Sequence, residues 1–386
     1  MSLYIGRGNP SMYEDYIDFI NYVFGYYHRP HDFITLMPRR CKAEYDPCGQ
    51  TYFVVEDGKI KASIGAFDSE FDVCGEKIKV RGIGNVSVHP YSQHKGYMIR
   101  LMNMIRDDMI KDGIDLSPLG GRRQRYGYFG YEQGCAQYSM TLDRDNFRYV
   151  YGGGRERRPF SLALRAEKVE KNDAYRLDYI LSMGDKEAVH SLRRRESLYD
   201  SLNMWTATPY VFVDRAGRLR GYSVGAIGEL ILDDDAFAPD AVWAILEETG
   251  QYSVDIRIPL TKRGMRAALM SLTNGVSMSN TEMIMALNWR RVILAAMRLE
   301  KTYQPLEDGS ITVLIHGTAG DEKLRIAVSG GEPSVEPCGG EPDVELDRLR
   351  AVSFFTGVYS PEREGVSAAV RSWLPLPVFF YGSDSV

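Results

Sequence analysis

The sequence has no long run of apolar residues, and it is poor in cysteine and histidine. Without about 18 or more consecutive apolar residues, no segment is expected to cross a membrane. The five cysteines are scattered among 386 residues, which fits a reduced cytoplasmic protein better than a disulfide-linked secreted one. No cysteine or third histidine stands at zinc spacing from His28 and His31, so no metal site is expected.

A basic surplus is also missing, because the formal net charge is −5. Nucleic-acid binding normally requires such a surplus, so nucleic acid is not an expected partner. A cationic small substrate remains compatible with this charge. The first residues, MSLYIGRGNP, do not have the basic-then-apolar pattern of a signal peptide, which favours a cytoplasmic location. The length predicts two or three domains.

Two similar hairpin patterns lie about 160 residues apart. The first spans residues 52–65 and turns at Asp57-Gly58, and the second spans residues 210–225. A predicted helix precedes each one, over residues 10–25 and 186–199. The chain therefore contains a degenerate internal repeat.

The last third of the chain has a different pattern. Residues 283–302 predict a helix, two β runs follow, and a second helix lies near residues 346–355. This order is typical of a small α+β domain. Together with a glycine-rich joint at residues 149–160, it predicts three units, at residues 1–152, 153–282 and 283–386.

One stretch of the first unit, VSVHPYSQHKGYMIRLM at residues 86–102, passes from a strand through a polar loop into an amphipathic helix. Backbone N–H groups at such a helix start can bind an anion, and Gly96 permits a close approach. His94 and Lys95 can add positive charge. A pyrophosphate would suit this loop, although an ordinary strand–turn–helix connection has the same pattern.

The pattern V-x-V-x-P-x-x-Q-x-x-G at residues 86–96 resembles the acetyl-CoA pyrophosphate loop of GNAT-type acetyltransferases, with Met98 where a small residue is usual. Along almost its full length the chain resembles the enhanced-intracellular-survival (Eis-like) group. The resemblance implies an α+β fold of two tandem GNAT-like mixed-sheet domains and a small sterol-carrier-protein-like α+β domain. The active GNAT domain would be residues 1–152, the GNAT-like domain without a cofactor loop residues 153–282, and the sterol-carrier-like domain residues 283–386. It also implies a homo-oligomer.

The same resemblance implies a binding site for acetyl-CoA, used as the acyl donor. Its members come from the loop, the helix start and a glycine further on. They are Val86, Ser87, Val88, Gln93, His94, Lys95, Gly96, Tyr97, Met98, Ile99 and Gly121.

Two catalytic groups follow from the resemblance. Tyr126, in GGRRQRYGYFGYEQG, matches a tyrosine near the CoA sulfur and would return a proton to the leaving thiolate. Aromatic packing is the alternative role for it. The strand that ends RGIGN, residues 81–85, offers no carboxylate, and in the group the terminal carboxylate reaches the active site. Here that group belongs to Val386, where relatives usually have an aromatic residue, and a frayed tail is the alternative.

The amine acceptor is expected near an aromatic segment, where rings hold a cation and a carboxylate pairs with it. Core packing would also explain these residues. They are Phe24, Tyr27, Asp32, Leu36 and Asn85. The predicted function is acetyl-CoA-dependent N-acetyl transfer to a primary amine of a small molecule or peptide. The alternative is a non-catalytic protein on the same fold that binds CoA or an apolar ligand.

Overall fold

The computed structural model describes residues 2–156 and 158–384, and it has the expected α+β class. The strands of this described part form three sheets. They are β1 (Leu3–Arg7), β2 (Thr51–Glu56), β3 (Lys59–Val73), β4 (Glu76–Val88), β5 (Leu116–Leu119), β6 (Glu132–Asp143), β7 (Leu164–Lys168), β8 (Val189–Ser191), β9 (Pro209–Asp214), β10 (Leu219–Val224), β11 (Glu229–Leu232), β12 (Ser253–Pro259), β13 (Val276–Ala286), β14 (Gly309–Gly317), β15 (Gly320–Ser329), β16 (Glu332–Pro337) and β17 (Val344–Asp347).

The helices pack on the faces of these sheets. They are α1 (Tyr13–Tyr27), α2 (Phe33–Leu36), α3 (Pro38–Cys41), α4 (Tyr97–Lys111), α5 (Arg123–Tyr126), α6 (Arg144–Tyr151), α7 (Ala174–Gly184), α8 (Leu198–Leu202), α9 (Ala238–Thr249), α10 (Arg263–Leu269), α11 (Trp289–Lys301), α12 (Arg348–Thr356) and α13 (Ala368–Ser372). Within residues 2–156 and 158–384, none of the helices has the length and hydropathy that crossing a bilayer requires.

The large sheet has the strand order β1-β2-β3-β4-β5-β13-β6-β12, with β8 paired to β3. The predicted hairpin at Asp57-Gly58 joins β2 to β3, and both turn residues have positive φ, as a tight two-residue hairpin requires. The predicted strand before the polar loop is β4, and the predicted helix after it is α4. The amphipathic pattern of α4 has its expected effect, because Leu101 and Ile105 are fully buried against the sheet.

The predicted start of a helix at Met283 is wrong. Residues up to Ala286 belong to β13, which inserts antiparallel between β5 and β6, and α11 begins only at Trp289. Met283 packs in the core beneath α4, whereas Ile284 packs in the core beneath α11. A strand buried on both faces is apolar without alternation, and a buried helix segment has the same pattern. The boundary expected between residues 282 and 283 falls inside this strand.

The second sheet has the order β11-β10-β9-β7. The predicted second hairpin is confirmed as β9 and β10. The helix predicted over residues 186–199 is wrong, because β8 occupies part of it and pairs with β3, with Phe71 opposite Ser191. A longer helix before this hairpin is α7, which lies earlier in the chain than predicted.

The third sheet, β16-β15-β14-β17, contains both β runs predicted for the last third, and α12 confirms the helix predicted after them. The apolar segment beyond α13 is docked. The indole of Trp373 is buried and donates a hydrogen bond to the carbonyl of Glu307 at 3.0 Å. Asp384 accepts from Arg193, which also donates to Glu229. Val386 lies outside the described residues.

Candidate functional site

The site begins where β4 separates from β5. In the described chain the two parallel strands pair through Val80 with Leu116 and Ile83 with Leu119. The register of β4 against β3 then shifts, and Asn85 adopts a left-handed φ of 51°. Such a bulge bends the strand that contains it. The end of β4 therefore turns away from β5 and leaves a gap between them.

The gap opens into a cavity of about 1100 Å³. Most of the predicted site residues line it: Phe24, Tyr27, Asn85, Val86, Val88, Gln93, His94, Gly96, Tyr97, Met98, Ile99, Gly121 and Tyr126. Ser87, Lys95, Asp32 and Leu36 are outside the lining. No group of three or more His, Cys, Asp or Glu side chains in residues 2–156 and 158–384 could hold a metal.

The start of α4 faces this cavity without a side-chain cap. Gly96 is the N-cap residue with φ 74°, and no side chain of residues 2–156 or 158–384 accepts from the first helical N–H groups. A Cβ built on Gly96 would meet nothing within 4 Å, so the space beside this backbone is open. The first N–H groups of a helix have no intrahelical partner, and the helix dipole adds positive potential there. This arrangement can bind an anion through the backbone alone.

Two predicted cofactor residues have other contacts. Lys95 Nζ lies 3.2 Å from Glu56 Oε2, which also accepts from the hydroxyl of Tyr97. The Ser87 hydroxyl is buried and donates to the carbonyl of Asn85. In this arrangement the charge of Lys95 is directed to Glu56.

Tyr126 lies at the end of α5, in the loop region that follows β5. Its side chain is 5% exposed, and its ring packs on Gly121, whose φ is 140°. Burial raises the pKa of the Tyr126 hydroxyl, and the nearby charge of Arg125 acts in the opposite direction. The hydroxyl is therefore protonated at neutral pH and can donate a proton into the cavity.

Among the lining residues that the sequence did not predict, three carry a positive charge or a large aromatic ring to the cavity from outside the loop: Arg122, Arg125 and Trp205. Arg122 and Arg125 are exposed and bring two positive charges to the mouth of the cavity. They belong to the same Gly-Arg-Tyr motif as Tyr126, so a signal for them existed. Trp205 comes from a short turn in the second unit, where it adopts a positive φ of 57°. No local pattern around Trp205 indicates that it would reach this cavity.

A carboxylate also lies beside the cavity. Glu282, on β13, stands opposite Gly134 of β6, and its Oε1 would lie 3.7 Å from a Cβ on Gly120. Gly120 lines the cavity. Burial raises the pKa of Glu282 to about 7. The sequence did not indicate that Glu282 lies beside the cavity, because the apolar residues that follow it were assigned to a helix.

The predicted acceptor residues do not all face the same space. The rings of Phe24 and Phe33 pack with centroids 4.8 Å apart, and the hydroxyl of Tyr27 accepts from Gln93. Asp32 caps α2, since its carboxylate accepts from the backbone N–H groups of Ile34 and Thr35. It also accepts from the Thr35 hydroxyl at 2.6 Å. This bond lowers the pKa of Asp32.

The other two acceptor candidates are structural neighbours of α1. Leu36 packs half-buried against the core formed by α1 and α3. Asn85 is buried and donates to the Tyr16 hydroxyl at 3.2 Å and to the Cys41 sulfur at 3.8 Å. This pairing holds the bulged residue of β4 against the helical layer.

Comparison with known proteins connects this geometry to a family. Residues 5–134 match the model of an acetyltransferase (GNAT) domain. A comparison with curated protein sequences gives no match. A conserved protein of unknown function and probable N-acyltransferase from Enterococcus faecalis is similar in structure, with 15% identity, a TM-score of 0.66 and coverage of 98% of this chain and 97% of that one.

Two further solved structures are similar over nearly the whole chain. A GCN5-related N-acetyltransferase from Anabaena variabilis has 14% identity and a TM-score of 0.65, with 98% of each chain covered. Eis1 from Mycobacterium abscessus has 14% identity and a TM-score of 0.62, with 99% of each chain covered. At such low identity these likenesses concern the fold.

The expected fold with tandem GNAT-like domains is therefore confirmed. The match over residues 5–134 identifies a GNAT acetyltransferase domain, and the chain is an acyltransferase. The sterol-carrier-like identity of the last unit stays a prediction.

The packing of Tyr126 on Gly121 gives a test of the site's construction. We expect Gly121→Ala to destabilise the fold by about 1–3 kcal/mol, because φ 140° is strained for alanine and the Cβ would lie 2.7 Å from the Tyr126 ring. Gly120→Ala is the matched control, since its Cβ would meet only the side chain of Glu282 at 3.7 Å. Urea denaturation of both variants measures the difference. Equal stability of the two would show that the Tyr126 ring is not held by this contact.

Proposed function

We propose that the chain transfers an acetyl group from acetyl-CoA to a primary amine of a small molecule or peptide. The observation that carries this proposal is the uncapped start of α4 at Gly96, which opens into the same cavity as the hydroxyl of Tyr126. An anion site and a proton donor are thus combined in one space, next to a gap between two strands. The matched GNAT domain supports acyl transfer as the reaction class.

The residues present fit the cofactor. Acetyl-CoA would supply an activated acetyl thioester and a pyrophosphate. The N–H groups of residues 97–99 and the open backbone of Gly96 would bind the pyrophosphate. Arg122 and Arg125 would add positive charge at the mouth of the cavity. Because backbone N–H groups would make these contacts with the pyrophosphate, they do not require a small side chain at position 98. The side chain of Met98 lines the cavity.

The chemistry would proceed by direct attack of the amine, with no covalent enzyme intermediate. Backbone N–H groups at the end of β4, near Val88, would polarise the acetyl carbonyl, since this part of the strand has separated from β5. Tyr126 would give its proton to the departing thiolate, whose conjugate acid has a comparable pKa. The aromatic residues Phe24 and Tyr27 would face the acceptor as a cation.

The proton of the amine requires a base, and two carboxylates are candidates. The first is the terminal carboxylate of Val386, which follows two residues after the anchored Asp384. The second is Glu282, whose pKa of about 7 suits proton acceptance near neutral pH. We retain Val386 as the primary hypothesis, because the apolar segment up to Phe380 is docked in the core.

The remaining parts of the proposal concern the units beyond the first domain. Residues 153–282 would serve as a GNAT-like domain without a cofactor loop. The part of residues 283–386 that follows β13 would serve as a sterol-carrier-like domain that shapes the acceptor site. A homo-oligomer is part of the same proposal. The alternative function, binding of CoA or an apolar ligand without catalysis, would give acetyl-CoA binding with no thiol release in the presence of amines.

Gly96→Glu should abolish acetyl-CoA binding, because a carboxylate would face the pyrophosphate. Gly113→Glu is the matched control at the other end of α4, where the glycine also has a positive φ, 66° against 74°, and open space. Backbone strain is then similar in both variants. Isothermal titration calorimetry with acetyl-CoA measures the effect, and unchanged affinity of the Gly96 variant would reject the assigned pyrophosphate site.

Tyr126→Phe should lower kcat about 10²-fold with little change in acetyl-CoA affinity, because the ring stays and the proton donor is lost. Tyr131→Phe serves as the control, since its hydroxyl is buried against that of Ser117 at 2.7 Å. Thiol release with a panel of polyamines, aminoglycosides and lysine peptides reports turnover. A Tyr126 variant within a few-fold of wild type would make this tyrosine a packing residue.

A C-terminal tag should reduce kcat/KM relative to an N-terminal tag, because it converts the Val386 carboxylate into an amide. Acetyl-CoA affinity and thermal stability are compared in both proteins, so that a folding defect is recognised. Equal kcat/KM values would refute the terminal-carboxylate hypothesis. Glu282→Gln then tests the second candidate, through loss of an ionisation near pH 7 from the pH profile of kcat/KM.

A further inference from the structure

A second cleft, of about 960 Å³, lies next to the proposed acetyl-transfer cavity. We propose that Arg39, Arg40 and Arg194, which line it, form a binding site for an oxyanion, the carboxylate or phosphate group of a small molecule. This site is separate from the α4 start, and its occupation does not depend on the proposed transfer reaction.

Arg40 is the strongest evidence for the site. Its side chain belongs to α3, is 7% exposed and lies with its guanidinium 5.2 Å from the ring centroid of Phe67. Its Nε is buried and has no hydrogen-bond partner within the described part of the chain. Buried polar atoms are nearly always paired, so the unpaired Nε shows that the charge of Arg40 is incompletely compensated by the described residues. An anion in the cleft would contact the outer part of this guanidinium, since Arg40 lines the cleft while its Nε is inaccessible.

The other two arginines are also without an anionic partner. Within residues 2–156 and 158–384, neither Arg39 nor Arg194 has a carboxylate oxygen within 4.0 Å, and the same is true of Arg40. Arg39 instead stacks on the Tyr45 ring at 4.6 Å. Arg194 is exposed at the rim. Three guanidinium groups therefore face one cleft without a neutralising partner in direct contact.

Six carboxylates also line the cleft. Three of them, Glu44, Asp46 and Glu70, form no ion pair with Arg39, Arg40 or Arg194 in the described chain. The other three pair with arginines outside the proposed site. Asp68 and Asp112 both accept from Arg81. Asp384 accepts from Arg193, which also forms a paired contact with Glu229. These acids act on the three free guanidinium groups only from a distance, so they do not fill the site.

The local electrostatics favour an added negative charge. Burial, together with the neighbouring charge of Arg39, lowers the pKa of Arg40 to about 10. Burial lowers the pKa of Arg39, and the neighbouring charge of Arg194 acts in the same direction. Arg40 is still charged at neutral pH, because its pKa stays well above 7. A carboxylate or phosphate offsets this repulsion, and the planar guanidinium binds either one through two parallel hydrogen bonds.

The wall between the cleft and the transfer cavity is thin. Arg40 is followed by Cys41, whose sulfur contacts Asn85 on the cavity side. Met204 lines the cleft, and the next residue, Trp205, lines the cavity. The oxyanion would therefore bind one side-chain layer away from the cavity.

The experiment measures thermal unfolding with sodium phosphate or sodium succinate, against sodium chloride at equal ionic strength and without acetyl-CoA. Wild type should show a saturable rise in Tm with at least one of the two probes, and the comparison between them distinguishes a phosphate site from a carboxylate site. Arg39→Ala and Arg194→Ala should each weaken the apparent affinity about tenfold or more, on the order of one charged hydrogen bond. Arg40→Met, which keeps an apolar stem over Phe67, should abolish the rise.

Arg325→Ala is the control, because Arg325 is exposed on β15 away from the cleft. It should leave the Tm rise unchanged. If the Arg40 variant fails to fold, the double variant of Arg39 and Arg194 gives the same test from exposed or partly exposed positions. The absence of a saturable rise in wild type, or an equal rise in that double variant, overturns the proposal.

Discussion

The separation of β4 from β5 is the constraint on which the rest of the site depends. The bulge at Asn85 ends the pairing of the two strands, and the buried amide of this residue fixes the bulge against Tyr16 of α1. An ordinary parallel pair would close the gap with hydrogen bonds and leave no space for a ligand. The cavity thus exists because one residue of β4 adopts a conformation that most side chains avoid.

Because β13 inserts into the large sheet, the three predicted units are not structurally separate. This strand pairs with β5 on one side and with β6 on the other, so residues far apart in sequence share one sheet with the first domain. The strand also brings Glu282 beside Gly120, at the edge of the cavity. Boundaries along the chain therefore do not coincide with boundaries between sheets, and the site includes residues from outside the matched GNAT domain.

The sequence predicted the local parts of the site and missed those that depend on tertiary structure. The strand, loop and helix around Gly96 follow from turn chemistry and periodicity, and so does the hairpin at Asp57-Gly58. Trp205 reaches the cavity only through the packing of a distant turn, which no local pattern encodes. The strand that contains Met283 was assigned to a helix because both of its faces are buried, and periodicity does not separate these two cases.

The short helix α3 contains Arg40 and Cys41 and lies between the transfer cavity and the second cleft. These two spaces have different electrostatics. On one side of Cys41, the cavity offers backbone N–H groups, aromatic rings and one tyrosine proton. On the other side, Arg40 is buried, and none of the residues that the structure describes forms a hydrogen bond with its Nε. Burying a charged group without a partner is costly, and that cost falls only when an anion is present. An anion in the cleft would therefore stabilise α3, and through Cys41 and Asn85 it would also stabilise the bulge on which the transfer cavity depends.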